Sequence, residues 1–248
     1  MSKAILITGA SRGIGRAAAR LAGQRGWAVG INYAGNADAA RAAVAEVEAE
    51  GSRALAIQGD VSVEADVIAM FDAAQNAFGA LDGFVNNAGV LGPSMPLADM
   101  DAERMKRIFD VNVYGAYLCA REAARRLSKS RSGRGGAIVN ISSVAARLGS
   151  PLEFVDYAGS KGAIDTLTIG LAKELGPEGV RVNAIRPGLI ETDIHASGGR
   201  PDRAATLGVT TPMGRAGTAD EVAEAIVWLL TDAASYVSGA LLDVSGGR

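Results

Sequence analysis

Tyr157 and Lys161 stand four residues apart in Tyr157-Ala-Gly-Ser-Lys161, and on a helix that spacing stacks the two side chains one turn apart on one face. A phenol is a poor acid at neutral pH, with an ordinary pKa of about 10, and a fixed ammonium beside it favours the phenolate. Lowering it by ~3 units takes about 4 kcal/mol of differential stabilisation. The lysine and a second positive charge brought by a bound ligand would share that load. Such a pair alone is weak evidence, so its weight rests on its surroundings. It follows a short apolar run at 137–141, the pair Ser142-Ser143 and a loop, after which Tyr157 opens a helix.

Composition narrows the setting. The chain has 248 residues, 48% of them hydrophobic, with 32 glycines and a formal charge of -2, which describes a globular protein able to bury a large core. There is no basic excess and the charges are interspersed, so a small-molecule partner is expected and nucleic acid is not. The longest apolar runs fall short of a membrane span and no signal segment is evident, so the expectation is a cytoplasmic protein with no membrane contact. A single cysteine, Cys119, excludes an internal disulfide and a thiolate metal cage. A single histidine, His195, removes Ser-His-Asp chemistry and most zinc sites, so no metal is expected.

The elements that must position the pair alternate strand and helix. Residues 3–8 form an apolar run without alternation, as in a strand covered on both faces. Thr8-Gly-Ala-Ser-Arg-Gly-Ile-Gly15 follows, and then a helical pattern to about Arg25. Glycines at 9, 13 and 15 allow a sharp turn, close approach of a phosphate to the amides and tight packing of helix on strand, and the helix start offers free N–H groups to a pyrophosphate. A dinucleotide is the ligand this context expects. A second strand at 27–32 ends in Asn32-Tyr33-Ala34 with no acid to bind ribose hydroxyls. Arg12 in the phosphate loop suits a 2′-phosphate, so the expected cofactor is NADP(H) rather than NAD(H).

A third strand at 53–57 leads to Gly59-Asp60-Val61, where Asp60 either accepts from an adenine amino group or only ends the strand; Ser62 is the expected cap of the next helix. A fourth strand at 82–86 leads to Asn87-Ala88-Gly89, small enough for a flat ligand to approach. A long helix is expected over 101–127, with Asn112 in its middle marking either a local distortion or a satisfied interior amide. Residues 128–136 read as a polar connector. The helix from Tyr157 to Leu175 carries Ile164, Leu167, Leu171 and Leu175 on one face and Ala163, Thr166 and Gly170 on another. So little charge predicts two packed neighbours and hence a homo-oligomer, a dimer or tetramer. After a strand at 180–185, Pro187 and Gly188 turn the backbone of Leu189 and Ile190 towards a ligand. Residues 189–215 are expected to form a mobile substrate lid, with His195 an ordinary part of it. Thr218 and Glu221 make a capping box for a helix to about Leu230, and 241–244 is a last strand. The alternation predicts one α/β domain over 1–248, a doubly wound parallel sheet with its ligand at the C-terminal strand ends.

Taken together, Thr8-Gly-Ala-Ser-Arg-Gly-Ile-Gly15, Asp60-Val61, Asn86-Asn-Ala-Gly89, Asn112, Ser143, Tyr157-x-x-x-Lys161, and Pro187-Gly188 with Thr192 resemble the classical short-chain dehydrogenase/reductase family along essentially the whole chain. The resemblance implies a single-domain Rossmann-type fold and an oxidoreductase acting on a carbonyl or alcohol. It implies a catalytic set of Asn112, Ser143, Tyr157 and Lys161, in which Ser143 binds the substrate oxygen, Tyr157 moves its proton, Lys161 acidifies the tyrosine and holds ribose hydroxyls, and Asn112 positions a water. The expected cofactor-binding set is Gly9, Ser11, Arg12, Gly13, Ile14, Gly15, Asn32, Asp60, Val61, Asn87, Ala88, Gly89, Tyr157, Lys161, Pro187, Gly188, Ile190 and Thr192. Within the family the chain looks like the 3-oxoacyl-carrier-protein reductases and the bacterial glucose 1-dehydrogenases; a cofactor-binding scaffold or redox sensor is the other class of function. Ser143 lies fourteen residues before Tyr157, one more than in many relatives, which leaves Ser142 as an alternative to it.

Overall fold

The computed structural model describes residues 3–194, 198–200 and 202–248. Seven strands pair in parallel: β1 (Ala4–Ile7), β2 (Ala28–Tyr33), β3 (Ala54–Gln58), β4 (Gly83–Asn86), β5 (Gly136–Ile141), β6 (Val180–Pro187) and β7 (Leu241–Val244). Their order is β3-β2-β1-β4-β5-β6-β7, which puts the reversal of the winding between β1 and β4, the place where a doubly wound sheet opens a crevice. The unbroken apolar runs are explained by burial on both faces. Ile5, Ile7, Val29 and Ile31 enter one core, and Ala4, Leu6 and Ala28 enter the other.

The first core is closed by α1 (Gly13–Gln24), α2 (Ala37–Ala49) and α9 (Ala219–Leu230), the second by α3 (Glu64–Phe78), α5 (Ala116–Leu127) and α7 (Val155–Leu175). The capping box at Thr218 and Glu221 is formed as its spacing requires. Two short helices, α4 (Ala102–Phe109) and α6 (Ala145–Leu148), flank the crevice, and α8 (Arg203–Gly208) lies beyond β6.

The helix expected over 101–127 is α4 and α5 joined by one π-helical segment, Asp110–Gly115, the local distortion that Asn112 was open to marking; its side chain is drawn inward to the Val90 backbone. Other local expectations change. Ser62 does not cap α3; that position is Val63, and the Ser62 hydroxyl donates to Asp60 instead. Within the 189–215 segment lies α8, six residues being too short to show a period. Gly188 is needed for space rather than for an unusual turn: a Cβ there would sit 2.7 Å from the Ser245 Cα.

Candidate active site

A cavity of about 440 Å3 runs along the C-terminal strand ends from the glycine turn to Tyr157. Its floor is a polar frame. The Thr8 hydroxyl accepts the Asn87 and Ala88 amides at 2.9 and 3.0 Å, while the Asn87 side chain donates to the Thr8 and Gly9 carbonyls. Asn32 accepts the Gly9 amide at 3.1 Å and donates to the carbonyls of Ile57 and Gly59. Asn32 lines the cavity, yet its side chain is already engaged in tying the ends of β1, β2 and β3 together.

Above this frame α1 starts at Arg12, whose backbone is extended and whose side chain caps nothing, with no acid in the first turn. The first amides of α1 therefore open on the groove with a positive dipole end behind them. Gly9 and Gly13 have φ of +61° and +55°, and a Cβ on Gly15 would lie 2.6 Å from the Asn87 Nδ2. These amides and this close backbone fit a pyrophosphate. Arg12 is exposed, and no hydrogen bond or ion pair ties its guanidinium to the described residues. Beside it the cavity is lined by Tyr33, Ala34, Gly35 and Asn36, none of them acidic.

Ser11, Ile14, Asp60, Val61, Ala88, Gly89, Pro187, Gly188, Ile190 and Thr192 line the same cavity. Thr192 packs over the glycine turn, its Cγ2 being 3.5 Å from where a Gly13 Cβ would stand. Asp60 accepts both the amide and the hydroxyl of Ser62, with Arg107 at 3.7 Å. Partial burial works against its ionisation, but those hydrogen bonds and Arg107 outweigh it and hold the carboxyl below its ordinary value.

At the far end, β5 delivers Ser142 and Ser143, and α7 delivers Tyr157 and Lys161. The two serines have separate fates. Ser142 is buried and donates to the Lys161 carbonyl at 3.1 Å. Ser143 accepts the Ala145 amide and is the serine that acts on the Tyr157 hydroxyl, lowering its pKa against the effect of burial, whereas Ser142 is turned to the Lys161 backbone. Lys161, 4% exposed, donates to the Ile141 carbonyl at 2.7 Å, and its Nζ lies 5.6 Å from the centre of the Tyr157 ring. Asn112 is held between the Val90 backbone and the Ser160 hydroxyl. It reaches the cluster from behind, since a Cβ on Gly89 would stand 3.4 Å from the Asn112 Oδ1 and 3.5 Å from the Lys161 Nζ.

The electrostatics run against the expectation of an acidified phenol. Tyr157 is half-buried along its ring but its hydroxyl lies deep in protein, and that burial pushes its pKa up to about 12 in spite of the Ser143 hydrogen bond. Burial also lowers Lys161 to about 8, with Asp165 opposing the fall. Each group is displaced towards its neutral form because the low-polarity surroundings penalise charge on either one.

Sequence reasoning missed several residues. Thr8 organises the frame, and only its place beside Gly9 hinted at that. Arg203, buried against the Phe154 ring at 5.1 Å, holds Glu153 with two bonds of 2.7 Å, and both Arg203 and Arg248 line the cavity; nothing in the spacing announced them. His195 lies outside the described residues. Among the described residues no helix is long and apolar enough to cross a membrane.

Comparison with known proteins agrees with this geometry. A profile of the family described as enoyl-(acyl carrier protein) reductase matches residues 9–248. An uncharacterised oxidoreductase of Escherichia coli K12, YgfF, is 51% identical over 243 residues, covering 98% of each chain. Among solved structures, the 3-ketoacyl-(acyl-carrier-protein) reductase of Brucella melitensis complexed with NADH superposes with a TM-score of 0.91 at 34% identity, covering 99% of this chain and 98% of that one. A short-chain dehydrogenase of Burkholderia cenocepacia J2315 in complex with NADP gives 0.90 at 35%, covering 99% and 97%.

Proposed function

The chain belongs to the short-chain dehydrogenase/reductase family and is an oxidoreductase; from that premise we propose that it moves a hydride between NADP(H) and a carbonyl or secondary alcohol. The observation that carries the proposal is the convergence of Ser143, Tyr157 and Lys161 on one end of a groove whose other end is an uncapped helix start beside an arginine with no partner among the described residues. The nicotinamide, when bound, supplies or accepts the hydride.

The remaining work falls to side chains. Ser143 donates to the substrate oxygen and Tyr157 gives that oxygen its proton, general acid catalysis of a kind worth roughly 10²–10⁴ in rate. Lys161 places positive charge under the tyrosine and holds ribose hydroxyls, while Asn112 keeps Gly89 and Val90 in place and orients a water behind the lysine. Gly9, Ser11, Gly13, Ile14 and Gly15 offer amides to the pyrophosphate; Asp60, Val61, Asn87, Ala88 and Gly89 flank the adenosine and ribose; Pro187, Gly188, Ile190 and Thr192 flank the nicotinamide. Arg12 faces the 2′-phosphate, and the absence of a carboxylate among Tyr33, Ala34, Gly35 and Asn36 favours NADP(H) over NAD(H).

Within this class the narrower readings are a 3-oxoacyl-carrier-protein reductase, which the likeness to the Brucella enzyme supports, or a sugar 1-dehydrogenase. A non-catalytic scaffold or sensor is disfavoured by the complete catalytic set. The chain works as one cytoplasmic domain in which 189–215 covers the substrate. It pairs with copies of itself across α4, the π segment, α5 and α7, where Phe109, Tyr114, Tyr117 and Ile169 are exposed apolar side chains; a monomeric mass by light scattering refutes that assembly. NADPH oxidation assayed with acetoacetyl thioesters, diketones, quinones and aldoses, beside NADP-linked oxidation of glucose, tests the reaction. Turnover of a carbonyl supports it, and no turnover of any of these supports the scaffold reading.

A further inference from the structure

One turn beyond Lys161, on the same side of α7, stands Asp165, and at that spacing Cβ atoms lie ~5–6 Å apart. Asp165 is 8% exposed. Its Oδ2 accepts from the Arg186 Nη2 and Nε at 2.7 and 3.1 Å. Its Oδ1 is fully buried and has no hydrogen bond to the described residues. A buried carboxylate oxygen that lacks a donor is tolerated only if its charge is balanced through space. The cations placed to do so are Arg186 and Lys161. Arg186 is divided between two acids, since its Nη1 lies 3.7 Å from Asp243, which also takes Arg147 at 3.1 Å.

Among the described residues, the other charged side chains on the elements packed against Lys161 have partners of their own. On α7 itself, Asp156 is bound by Arg104 of α4 at 3.0 Å. Arg107 of α4 lies against Asp60, and Asp110 of the π segment is bound by Lys106. β5 contributes no charged side chain, and α6 contributes Arg147, turned to Asp243. On β6 the nearby charge is Arg186, while Arg181 is held by the carbonyls of Leu229 and Thr231. Tyr157 is neutral at physiological pH. Asp165 is therefore the carboxylate left to act on the ammonium, and it opposes the burial that discharges Lys161.

We propose that Asp165 is a positioning residue for the reaction, a carboxylate clamped by Arg186 beneath Lys161 that keeps the lysine charged under the tyrosine. This rests on the reading that Lys161 serves the reaction. Asp165→Asn keeps the shape and removes the charge, so the ionisation of Lys161 moves down by about one pH unit. Reductive kcat/KM on the best carbonyl of the panel above falls about fivefold at pH 8, approaches a tenfold loss at higher pH and stays within about twofold at pH 6. Arg186→Gln removes the competing cation and moves the same limb upwards. Urea unfolding of the full-length variants between pH 6 and 10 reads the same ionisation without substrate: the rise in stability that accompanies loss of the lysine proton begins at lower pH in Asp165→Asn and at higher pH in Arg186→Gln. An equal loss of kcat/KM at every pH, or displacement of both variants in one direction, overturns the proposal. If the wild type binds no NADPH and reduces no carbonyl, the functional reading fails, while opposed shifts in the unfolding curves still establish the coupling of Asp165 to Lys161.

Discussion

Replacing Arg12 by serine isolates the contribution that distinguishes the two nicotinamide cofactors. The arginine sits at the N-cap position of α1 with extended backbone, φ −154° and ψ 171°, so serine fits there without strain and is itself a good cap. Among the described residues the guanidinium has no partner whose loss would disturb the fold. A hydrogen bond to a charged group is worth about 1.5–3 kcal/mol, and solvent around an exposed arginine puts this one at the lower end. At 1.4 kcal/mol per decade, the expected result is a roughly tenfold weaker Kd for NADPH with NADH unchanged within about twofold. Titration of the cofactor's fluorescence measures both constants. Because the contact is exposed, raising the salt from about 0.05 to 0.5 M should shrink the wild-type preference and leave the variant's constants level. Equal weakening of NADPH and NADH, or a wild type that binds NADH more tightly, would refute the assignment of Arg12 to the 2′-phosphate.

Tyr157→Phe should lower kcat by at least about 10² while leaving the NADPH Kd within a factor of about two, since the ring stays and only the proton donor is lost; retained turnover would remove Tyr157 from the reaction. Gly15→Ala forces a Cβ to within 2.6 Å of the Asn87 Nδ2 and 2.8 Å of the Gly9 carbonyl. Overpacking of that kind costs about 1–3 kcal/mol, a fall of several degrees in Tm, and should weaken NADPH binding as well; an unchanged Tm would show that the turn has slack. Lys161 carries a folded-state pKa of about 8 against an ordinary 10.5, so the folded chain sheds this proton first and stability rises with pH across that window, by about 3 kcal/mol. Urea unfolding at pH 7.5, 9 and 10 should show this rise in the wild type and not in Lys161→Met, and parallel curves for the two proteins would contradict the burial argument.

The fold was legible where one local rule acted alone. Unbroken apolar runs located the strands because a parallel sheet is covered on both faces, and the capping box at Thr218 appeared where its spacing put it. Legibility failed where long-range partners intervene. Asn112 signalled that the helix over 101–127 could be distorted, but choosing between that and a satisfied amide takes the Val90 backbone, 22 residues away. The Glu153–Arg203 pair joins residues 50 apart, and Asp156–Arg104 joins residues 52 apart; no spacing rule reaches that far. Asp165 drew no reading from the sequence, because its partner Arg186 is 21 residues away on β6. Asn32 stands where a ligand contact is expected at the end of β2, and its side chain serves the frame beneath the cavity.

The Tyr157–Lys161 spacing predicts a tyrosine made acidic, whereas the folded chain holds the tyrosine at about 12 and the lysine at about 8. The two observations agree once the direction of proton transfer is considered. With ordinary values near 10.0 and 10.5 the two groups would lose their protons together; burial separates them by about four units and puts the lysine first. Below pH 8 the site thus contains a protonated phenol above a charged ammonium. That is the state needed to donate a proton to a carbonyl oxygen as negative charge develops on it, and the lysine then stabilises the phenolate left behind, most strongly because the surroundings are poor in water. Alcohol oxidation needs the opposite starting state, a phenolate, and the chain's own residues disfavour it by about 3 kcal/mol relative to a phenol in water. Positive charge arriving with an oxidised cofactor must offset that difference. On the proposed function, the cation four residues from the tyrosine acts on the phenolate after the proton has moved.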